Sequence, residues 1–205
     1  MVAIIDYDAG NIKSVEKAIL SLGEDACLTR DAEVILNADR VILPGVGSFG
    51  DAMEKLTQYG LVSVIHEVVK RKIPFLGICL GLQLMFEESE ESQGIKGLGI
   101  LKGRIVKIPA KEGLKIPHIG WNSLKFPVRG RLFEGIKEGE YVYFVHSYYL
   151  KAEDEQIVTA TTDYGTLIQA SVEQGNVFAC QFHPEKSSEI GLTILKNFLN
   201  IQKEE

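Results

Sequence analysis

Two short segments of the chain carry residue types suited to nucleophilic acyl chemistry. Gly77-Ile78-Cys79-Leu80-Gly81 places a cysteine between two glycines, and His183-Pro184-Glu185 lies near the C-terminus. A thiol can attack a carbonyl carbon once a base removes its proton, and a carboxylate can hold that base in the required tautomer. These residues therefore predict a hydrolase or transferase in which Cys79 is the nucleophile, His183 is the base and Glu185 orients the imidazole.

The elements around Cys79 favour this interpretation. Ile73 to Ile78 is a continuous apolar run, which indicates a buried strand, and Leu80 to Glu88 follows as a predicted helix. A nucleophile at such a strand-to-helix turn is exposed, and glycines on both sides avoid clashes there because they lack a Cβ. The positive end of the helix favours the thiolate. The alternative is that Cys79 is a small buried apolar residue, as many free cysteines are.

The sequence also places Glu185 beside His183. A predicted strand, Asn176 to Phe182, leads into His183, and the residue before a proline prefers an extended backbone. Residues i and i+2 of an extended segment point to the same side. The two side chains are therefore expected to meet. The alternative is an isolated histidine beside a helix N-terminus, with Glu185 serving only the helix dipole.

A glycine-rich segment, Gly45-Val46-Gly47-Ser48-Phe49-Gly50, lies between a predicted strand and a predicted helix. It matches G-x-G-x-x-G literally, but it follows the third strand, and the acidic residue expected about 20 positions later falls inside a helix. A dinucleotide site is therefore disfavoured. The other use is an oxyanion hole, with N–H donors from Val46 and Leu80. The flanking glycines would let the Val46 peptide rotate.

The order of elements predicts an α/β fold. Apolar strands alternate with amphipathic helices up to about Glu91, which indicates a mostly parallel central sheet flanked by helices. Short strands separated by turn residues follow, one of them expected from Tyr141 to Leu150, so the C-terminal half is expected to add antiparallel hairpins before a final helix near Ile190 to Leu199. The sequence has no linker that would divide it, so residues 1–205 are expected to form a single domain.

Composition excludes several functions. The net charge is −6, and basic residues are not interleaved with aromatic ones, so nucleic-acid binding is not expected. The chain has neither an apolar run of about 18 residues nor a signal-peptide pattern, which predicts no membrane span and a cytoplasmic location. Cys27, Cys79 and Cys180 are widely spaced and odd in number, as expected of reduced thiols. No metal ligand spacing occurs, and we expect no metal and no cofactor.

Six segments together resemble the class I, triad-type glutamine amidotransferases. Within that family they are similar to the glutaminase subunits of imidazole glycerol phosphate synthases. The segments are Pro44-Gly45-Val46-Gly47-Ser48-Phe49-Gly50, Gly77-Ile78-Cys79-Leu80-Gly81-Leu82-Gln83, Phe86-Glu87-Glu88-Ser89, Pro117-His118-Ile119-Gly120-Trp121-Asn122, Tyr143-Phe144-Val145-His146-Ser147-Tyr148 and Phe182-His183-Pro184-Glu185-Lys186-Ser187. The resemblance spans essentially the whole chain and implies the flavodoxin-like fold of this family.

The resemblance also implies residue roles and a partner. Cys79 would attack the side-chain amide of L-glutamine, and a γ-glutamyl thioester would be hydrolysed to glutamate. The implied substrate-binding residues are Gly47, Gln83, Glu91, Ser147 and Tyr148. A (β/α)₈-barrel cyclase subunit would form a heterodimer with this chain and receive the ammonia, and the implied interface residues are Asn11, Trp121, Tyr143 and Lys186. Each of these four also has an ordinary structural interpretation: an N-cap, a core tryptophan, a strand aromatic and a solvated lysine.

Three alternatives remain open from the residues. Gln83, one helical turn after Cys79, is an ordinary helix amide unless a substrate is bound beside it. The chain could be a cysteine hydrolase or peptidase on a related scaffold. It could also be the amidotransferase subunit of another synthase, such as those that make anthranilate, pyridoxal phosphate or GMP.

Overall fold

A mixed β-sheet organises the part of the chain that the computed structural model describes, residues 1–10 and 12–202. Asn11 and residues 203–205 lie outside this description. The strands are β1 (Val2–Ile5), β2 (Ala26–Thr29), β3 (Arg40–Gly45), β4 (Phe75–Cys79), β5 (Glu88–Ser89), β6 (Gly103–Lys107), β7 (His118–Ser123), β8 (Tyr141–His146), β9 (Tyr148–Ala152), β10 (Val158–Asp163), β11 (Leu167–Gln174) and β12 (Val177–Cys180). The helices are α1 (Ile12–Ser21), α2 (Ala32–Leu36), α3 (Phe49–Gln58), α4 (Leu61–Lys70), α5 (Leu80–Leu84) and α6 (Ser188–Leu199).

The first half of the sheet is parallel. Its order is β2-β1-β3-β4-β12, and each neighbouring pair runs in the same direction. The order continues through β11, β9, β6 and β5, and the pairs from β12 to β6 are antiparallel. The predicted parallel sheet with added antiparallel strands is therefore confirmed.

Helices cover both faces of the parallel part. Ile4 packs with residues of α1 and α6 on one face, and Ile5 packs with residues of α3 and α4 on the other. Successive residues of a strand point to opposite faces, so β1 contributes to both apolar cores and is fully buried. Two consecutive helices, α3 and α4, meet at Gly60, which has a left-handed backbone conformation.

Two expected elements differ from the structure. The helix expected over Leu80 to Glu88 ends at Leu84, because a later segment takes the carbonyl groups that would continue it: Leu98 N–H donates to Leu84 and Ile100 N–H to Met85. The continuous strand expected from Tyr141 to Leu150 divides at Ser147. Its first part, β8, pairs with β7 in a separate two-stranded sheet, and its second part, β9, pairs with β6 in the main sheet.

Candidate active site

The turn between β4 and α5 holds Cys79 in a strained backbone conformation. Its φ is 55° and its ψ is −108°, a region that L-residues rarely occupy. Glycines are required on both sides of Cys79, because neighbouring backbone atoms leave no room for a Cβ at either position. A Cβ on Gly81 would lie 1.9 Å from the Leu43 carbonyl oxygen, and one on Gly77 would lie 2.8 Å from Gly81 backbone atoms. The chain therefore presents the thiol at the carboxyl end of a central strand.

His183 and Glu185 form a buried pair. Nδ1 of His183 lies 2.8 Å from Oε1 of Glu185, and the two side chains are 2% and 1% exposed. A carboxylate accepts, so Nδ1 carries the proton and Nε2 is left to accept one. Nε2 is buried and has no hydrogen-bond partner in the described structure. His183 is extended, as expected, whereas Pro184–Lys186 forms a 3₁₀ turn rather than an extended segment.

Charges around His183 favour its protonated form. Burial alone lowers the pKa of His183, but the Cys79 thiolate and the Glu185 carboxylate outweigh it and raise that pKa to about 9. Burial, with smaller contributions from Glu185 and Cys79, raises the pKa of the neighbouring Cys180 thiol. Cys180 is therefore held as a thiol, while Cys79 faces an imidazolium.

One cavity of about 280 Å³ gathers most of the predicted site residues. Its lining residues are Val46, Gly47, Cys79, Leu80, Gln83, Glu91, Pro117, Val145, His146, Ser147, Tyr148 and His183. Glu185 stands behind His183 in a separate, much smaller cavity. The carboxylate of Glu91 also accepts from the Phe49 N–H at 2.8 Å, so it closes the N-terminus of α3 as well as lining the cavity.

The segment after β3 is anchored at both ends. The Tyr7 hydroxyl donates to the Pro44 carbonyl at 2.9 Å, and the Ser92 hydroxyl accepts from the Gly50 N–H at 3.0 Å. The two glycines beside Val46 differ in role. A Cβ on Gly45 would lie 2.5 Å from the Tyr7 hydroxyl oxygen, whereas Gly47 has a φ of 100° and open space around it. Rotational freedom at this peptide therefore comes from Gly47.

Two buried amides connect the cavity wall to the nucleophile. Nε2 of Gln83 donates to the Tyr148 carbonyl at 3.2 Å and to Oε1 of Gln181 at 3.0 Å. Nε2 of Gln181 in turn lies 3.8 Å from the Cys79 sulfur. Sequence reasoning missed Gln181, although it stands two positions before His183 at the end of the predicted strand Asn176 to Phe182, where alternate residues are expected to share a side.

A buried pair of histidines lies next to the cavity, and His146 is the member that lines it. His146 Nδ1 donates to the Tyr148 carbonyl at 2.8 Å, so its Nε2 accepts from Nδ1 of His118 at 2.9 Å. His118 is stacked between Phe144 and Tyr164. Burial lowers the pKa of each histidine to about 4, so both rings are neutral near pH 7. His118 and His146 lie in two of the segments that resemble the amidotransferases, but the sequence did not predict that their rings form a hydrogen bond.

The residues implied as an interface lie partly on the two-stranded sheet. Trp121 on β7 is 50% exposed, and its ring contacts Tyr143 on β8 with centroids 6.0 Å apart. Lys186 is exposed. The Tyr143 backbone bonds to the segment that carries the base, since its carbonyl accepts from the His183 N–H at 2.9 Å. Asn11 lies outside the described residues.

Comparison with known proteins identifies the family. Residues 3–201 match the family described as glutamine amidotransferase class-I. The chain belongs to the class I glutamine amidotransferases. It is 53% identical over 197 residues to the imidazole glycerol phosphate synthase subunit HisH of Moorella thermoacetica, covering 96% of this chain and 93% of that protein. It is 50% identical over 201 residues to the HisH subunit of Methanocaldococcus jannaschii, covering 98% and 100%.

Solved structures of two other proteins share the fold. A crystal structure described as a glutamine amidotransferase superposes with a TM-score of 0.75 at 21% identity, covering 97% of each chain. The structure of PurLQS from Thermotoga maritima gives 0.73 at 21% identity, with the same coverage. The predicted class I amidotransferase-like fold is therefore confirmed.

The described residues contain neither a membrane-spanning helix nor a group of metal-binding side chains. No helix within residues 1–10 and 12–202 is long and apolar enough to cross a membrane. Over the same residues, no three His, Cys, Asp or Glu side chains are grouped so that they could hold a metal ion.

Proposed function

We propose that this chain is the glutaminase subunit of an imidazole glycerol phosphate synthase and works in histidine biosynthesis. It hydrolyses glutamine to glutamate and ammonia, and the ammonia passes to a cyclase subunit. About 50% identity over nearly the full length of the HisH subunits supports this assignment. The observation that carries the chemistry is the shared cavity in which Cys79 faces His183, with Glu185 bonded behind the base at 2.8 Å.

Acylation begins on the thiolate. Cys79 attacks the side-chain carbonyl carbon of glutamine, and the oxygen becomes an oxyanion. Backbone N–H groups of Leu80, at the start of α5, and of Val46 stabilise this charge. The intermediate collapses, the C–N bond breaks, and the imidazolium of His183 gives its proton to the departing nitrogen. The products of this step are ammonia and a γ-glutamyl thioester on Cys79.

Hydrolysis returns the enzyme to its starting state. His183, now neutral at Nε2, takes a proton from a water molecule as that water attacks the thioester carbonyl. The second tetrahedral intermediate expels the Cys79 thiolate and releases glutamate. Glu185 keeps the proton on Nδ1 throughout both steps, so Nε2 is the atom that gives and takes protons.

Cavity charges set the orientation of the substrate. Glu91 is the carboxylate among the lining residues, and it suits the α-ammonium group of glutamine. The side-chain amide then extends toward Cys79 past Gln83, while Ser147 and Tyr148 border the amino-acid end together with Gly47. A cavity of about 280 Å³ suits an amino acid better than a larger ligand.

The partner contacts the exposed face of the two-stranded sheet in this proposal. Trp121 and Tyr143 form its aromatic centre, and Lys186 and Asn11 are further proposed contacts that rest on the family resemblance alone. Exposed aromatic side chains are frequent anchors of protein interfaces. The Tyr143 carbonyl accepts a hydrogen bond from the His183 N–H. A partner that contacts this face is therefore one hydrogen bond away from the backbone of the base. The partner and its acceptor substrate are proposed to favour the orientation of the Val46 peptide that faces the oxyanion. We place the complex in the cytoplasm and treat residues 1–205 as one domain.

A direct assay tests the assignment. The purified chain is incubated with glutamine, alone and with the cyclase subunit and its acceptor substrate, and glutamate release is measured. Cys79→Ala should abolish release, and the liganded complex should be faster than the isolated chain. Formation of imidazole glycerol phosphate from glutamine only when both subunits are present supports the partner. Equal rates for the isolated chain and the complex would contradict the proposed control of Val46.

A further inference from the structure

Gln181 occupies a buried position between the nucleophile and the cavity wall. Its side chain is fully buried, and its backbone N–H is held by the Ala170 carbonyl at 2.8 Å. The chemistry described above uses Cys79, His183 and Glu185 but gives this amide no role. A buried primary amide must place its two N–H donors and its carbonyl oxygen against complementary atoms.

A backbone carbonyl fixes how both amides are turned. The oxygen of Tyr148 can only accept, so the Gln83 atom 3.2 Å away is the nitrogen. The same nitrogen lies 3.0 Å from Gln181, so the Gln181 atom facing it is the carbonyl oxygen. The remaining end of the Gln181 amide is then the nitrogen, and it faces the Cys79 sulfur at 3.8 Å. Neither amide can be reversed without placing two acceptors or two donors together.

We propose that Gln181 is a positioning residue that donates an N–H to the Cys79 thiolate and locks Gln83 so that its oxygen faces the substrate. A thiolate accepts a charge-assisted hydrogen bond more strongly than a thiol does. The competing thiol can donate to the Val145 carbonyl, 3.9 Å from the sulfur. Gln181 thus favours the thiolate form of Cys79 over the thiol form.

The locked Gln83 has a consequence for the substrate. Its nitrogen is occupied at both N–H groups, so the atom that it can offer to a ligand is its carbonyl oxygen, a pure acceptor. An acceptor favours an N–H donor of glutamine and repels the side-chain carboxylate of glutamate. This part rests on the proposed function, whereas the contact with the Cys79 sulfur does not.

Alkylation of Cys79 by iodoacetamide tests the sulfur contact without any substrate. The rate is measured against pH by mass spectrometry of the peptide that contains Cys79. Gln181→Met keeps the length of the side chain but has no N–H, so we expect alkylation at about pH 7 to slow about tenfold and the profile to move to higher pH. Gln181→Glu keeps the acceptor for Gln83 but turns an oxygen toward the sulfur, so a larger loss is expected.

Gln169→Met is the matched control. Gln169 lies on the neighbouring strand β11, where its Oε1 accepts from the Ala152 N–H at 2.7 Å, outside the cavity. This variant should alkylate like the wild type. Equal alkylation rates for Gln181→Met, Gln169→Met and the wild type would overturn the proposed contact.

Steady-state kinetics with glutamine separate the two roles. Gln181→Met should lower kcat and raise KM, because it loses both the sulfur donor and the lock on Gln83. Gln181→Glu should affect mainly kcat. If the wild type in complex with the cyclase subunit and its acceptor substrate releases no glutamate, the proposed function fails, yet the alkylation series still reports on the sulfur contact.

A wild-type measurement covers the case in which substitutions at Gln181 unfold the chain. The side-chain amide protons of Gln181 are followed by ¹⁵N NMR as pH is varied, in the wild type and in Cys79→Ser. We expect these protons to shift as the thiolate forms in the wild type only. Matching titrations in the two proteins would refute the contact.

Discussion

The Tyr7 hydroxyl donates a hydrogen bond to the Pro44 carbonyl at 2.9 Å, directly below the loop that carries Val46. Tyr7 is almost completely buried, and burial together with the charge of Cys79 raises its pKa, so the phenol keeps its proton. The far end of the loop is held by Glu91 at the Phe49 N–H. Val46 and Gly47 are therefore a short adjustable segment between two fixed points.

Removing the Tyr7 hydroxyl should loosen this loop. In Tyr7→Phe we expect kcat for glutamine hydrolysis to fall about tenfold with little change in KM, because an oxyanion donor is less well placed. Stability should fall by about 1–3 kcal/mol, since a buried carbonyl loses its partner. Tyr164→Phe is the matched control, because Tyr164 also donates to a backbone carbonyl, that of Lys115, outside the cavity. A normal kcat in Tyr7→Phe would show that the anchor is dispensable.

The Glu185 carboxylate should set the alkaline limit of the reaction. The pKa of His183 is raised to about 9, so the imidazolium is present at neutral pH and is lost as the pH rises through that value. Glu185→Gln removes a charge that favours the imidazolium, so the alkaline limb of the kcat/KM profile should move to lower pH. The rate should fall at least about 100-fold. Glu189→Gln, an exposed change in the first turn of α6, should leave the profile in place.

The raised pKa of His183 also makes the free energy of unfolding depend on pH. The folded state binds the His183 proton more tightly than the unfolded chain does, so its stabilisation is complete below about pH 6.5 and is lost as the pH rises through about 9. Urea unfolding of the wild type and Glu185→Gln should therefore differ most at about pH 6 and converge at alkaline pH. A constant difference across this range would contradict the ion pair.

The neutral pair of His118 and His146 should make the protein less stable as the pH falls, which is the opposite of the dependence expected from His183. Burial holds the pKa of His118 and His146 near 4, below the unfolded value, so their stabilisation is present above about pH 6.5 and is lost as pH falls toward 4. The pH dependence of urea unfolding should be shallower in His118→Gln than in the wild type. His66→Gln, at an exposed position on α4, is the control and should keep the wild-type slope.

Partner binding should depend on the exposed tryptophan. Trp121→Ala removes half-exposed aromatic surface from β7, so the Kd for the cyclase subunit should rise at least about tenfold by calorimetry. Leu20→Ala is the matched control. Leu20 is 49% exposed but lies at the end of α1 distant from the carboxyl edge of the sheet, so it should bind normally. Equal Kd values for the two variants would place the partner elsewhere.

Local patterns predicted the elements that carry the chemistry. The apolar run before Cys79, the glycines around it and the His183-Pro184-Glu185 spacing each act within a few residues, so a sequence contains them in full. The alternation of strands and helices likewise required only apolar periodicity. The family resemblance then supplied the lining residues Gln83, Glu91 and Tyr148, which periodicity alone left as ordinary positions.

Contacts between distant segments could not be predicted in this way. Tyr7 reaches Pro44 because β1 and β3 are neighbours, and Gln181 reaches Cys79 because β12 pairs with β4. The helix after Cys79 was predicted too long, because the competing donor at Leu98 comes from a loop that forms only in the folded chain. Each of these depends on which strands are adjacent, and that information is not local.

The Tyr148 carbonyl accepts hydrogen bonds from both Gln83 and His146. The series of hydrogen bonds from Gln181 and the one from His118 therefore both end on this main-chain oxygen. Main-chain atoms are present whichever side chain occupies the position. Substitution of the Tyr148 ring could therefore alter what the cavity recognises while the donor–acceptor direction toward Cys79 is kept. In evolutionary terms, this scaffold can change its ligand preference at position 148 without rebuilding the environment of its nucleophile.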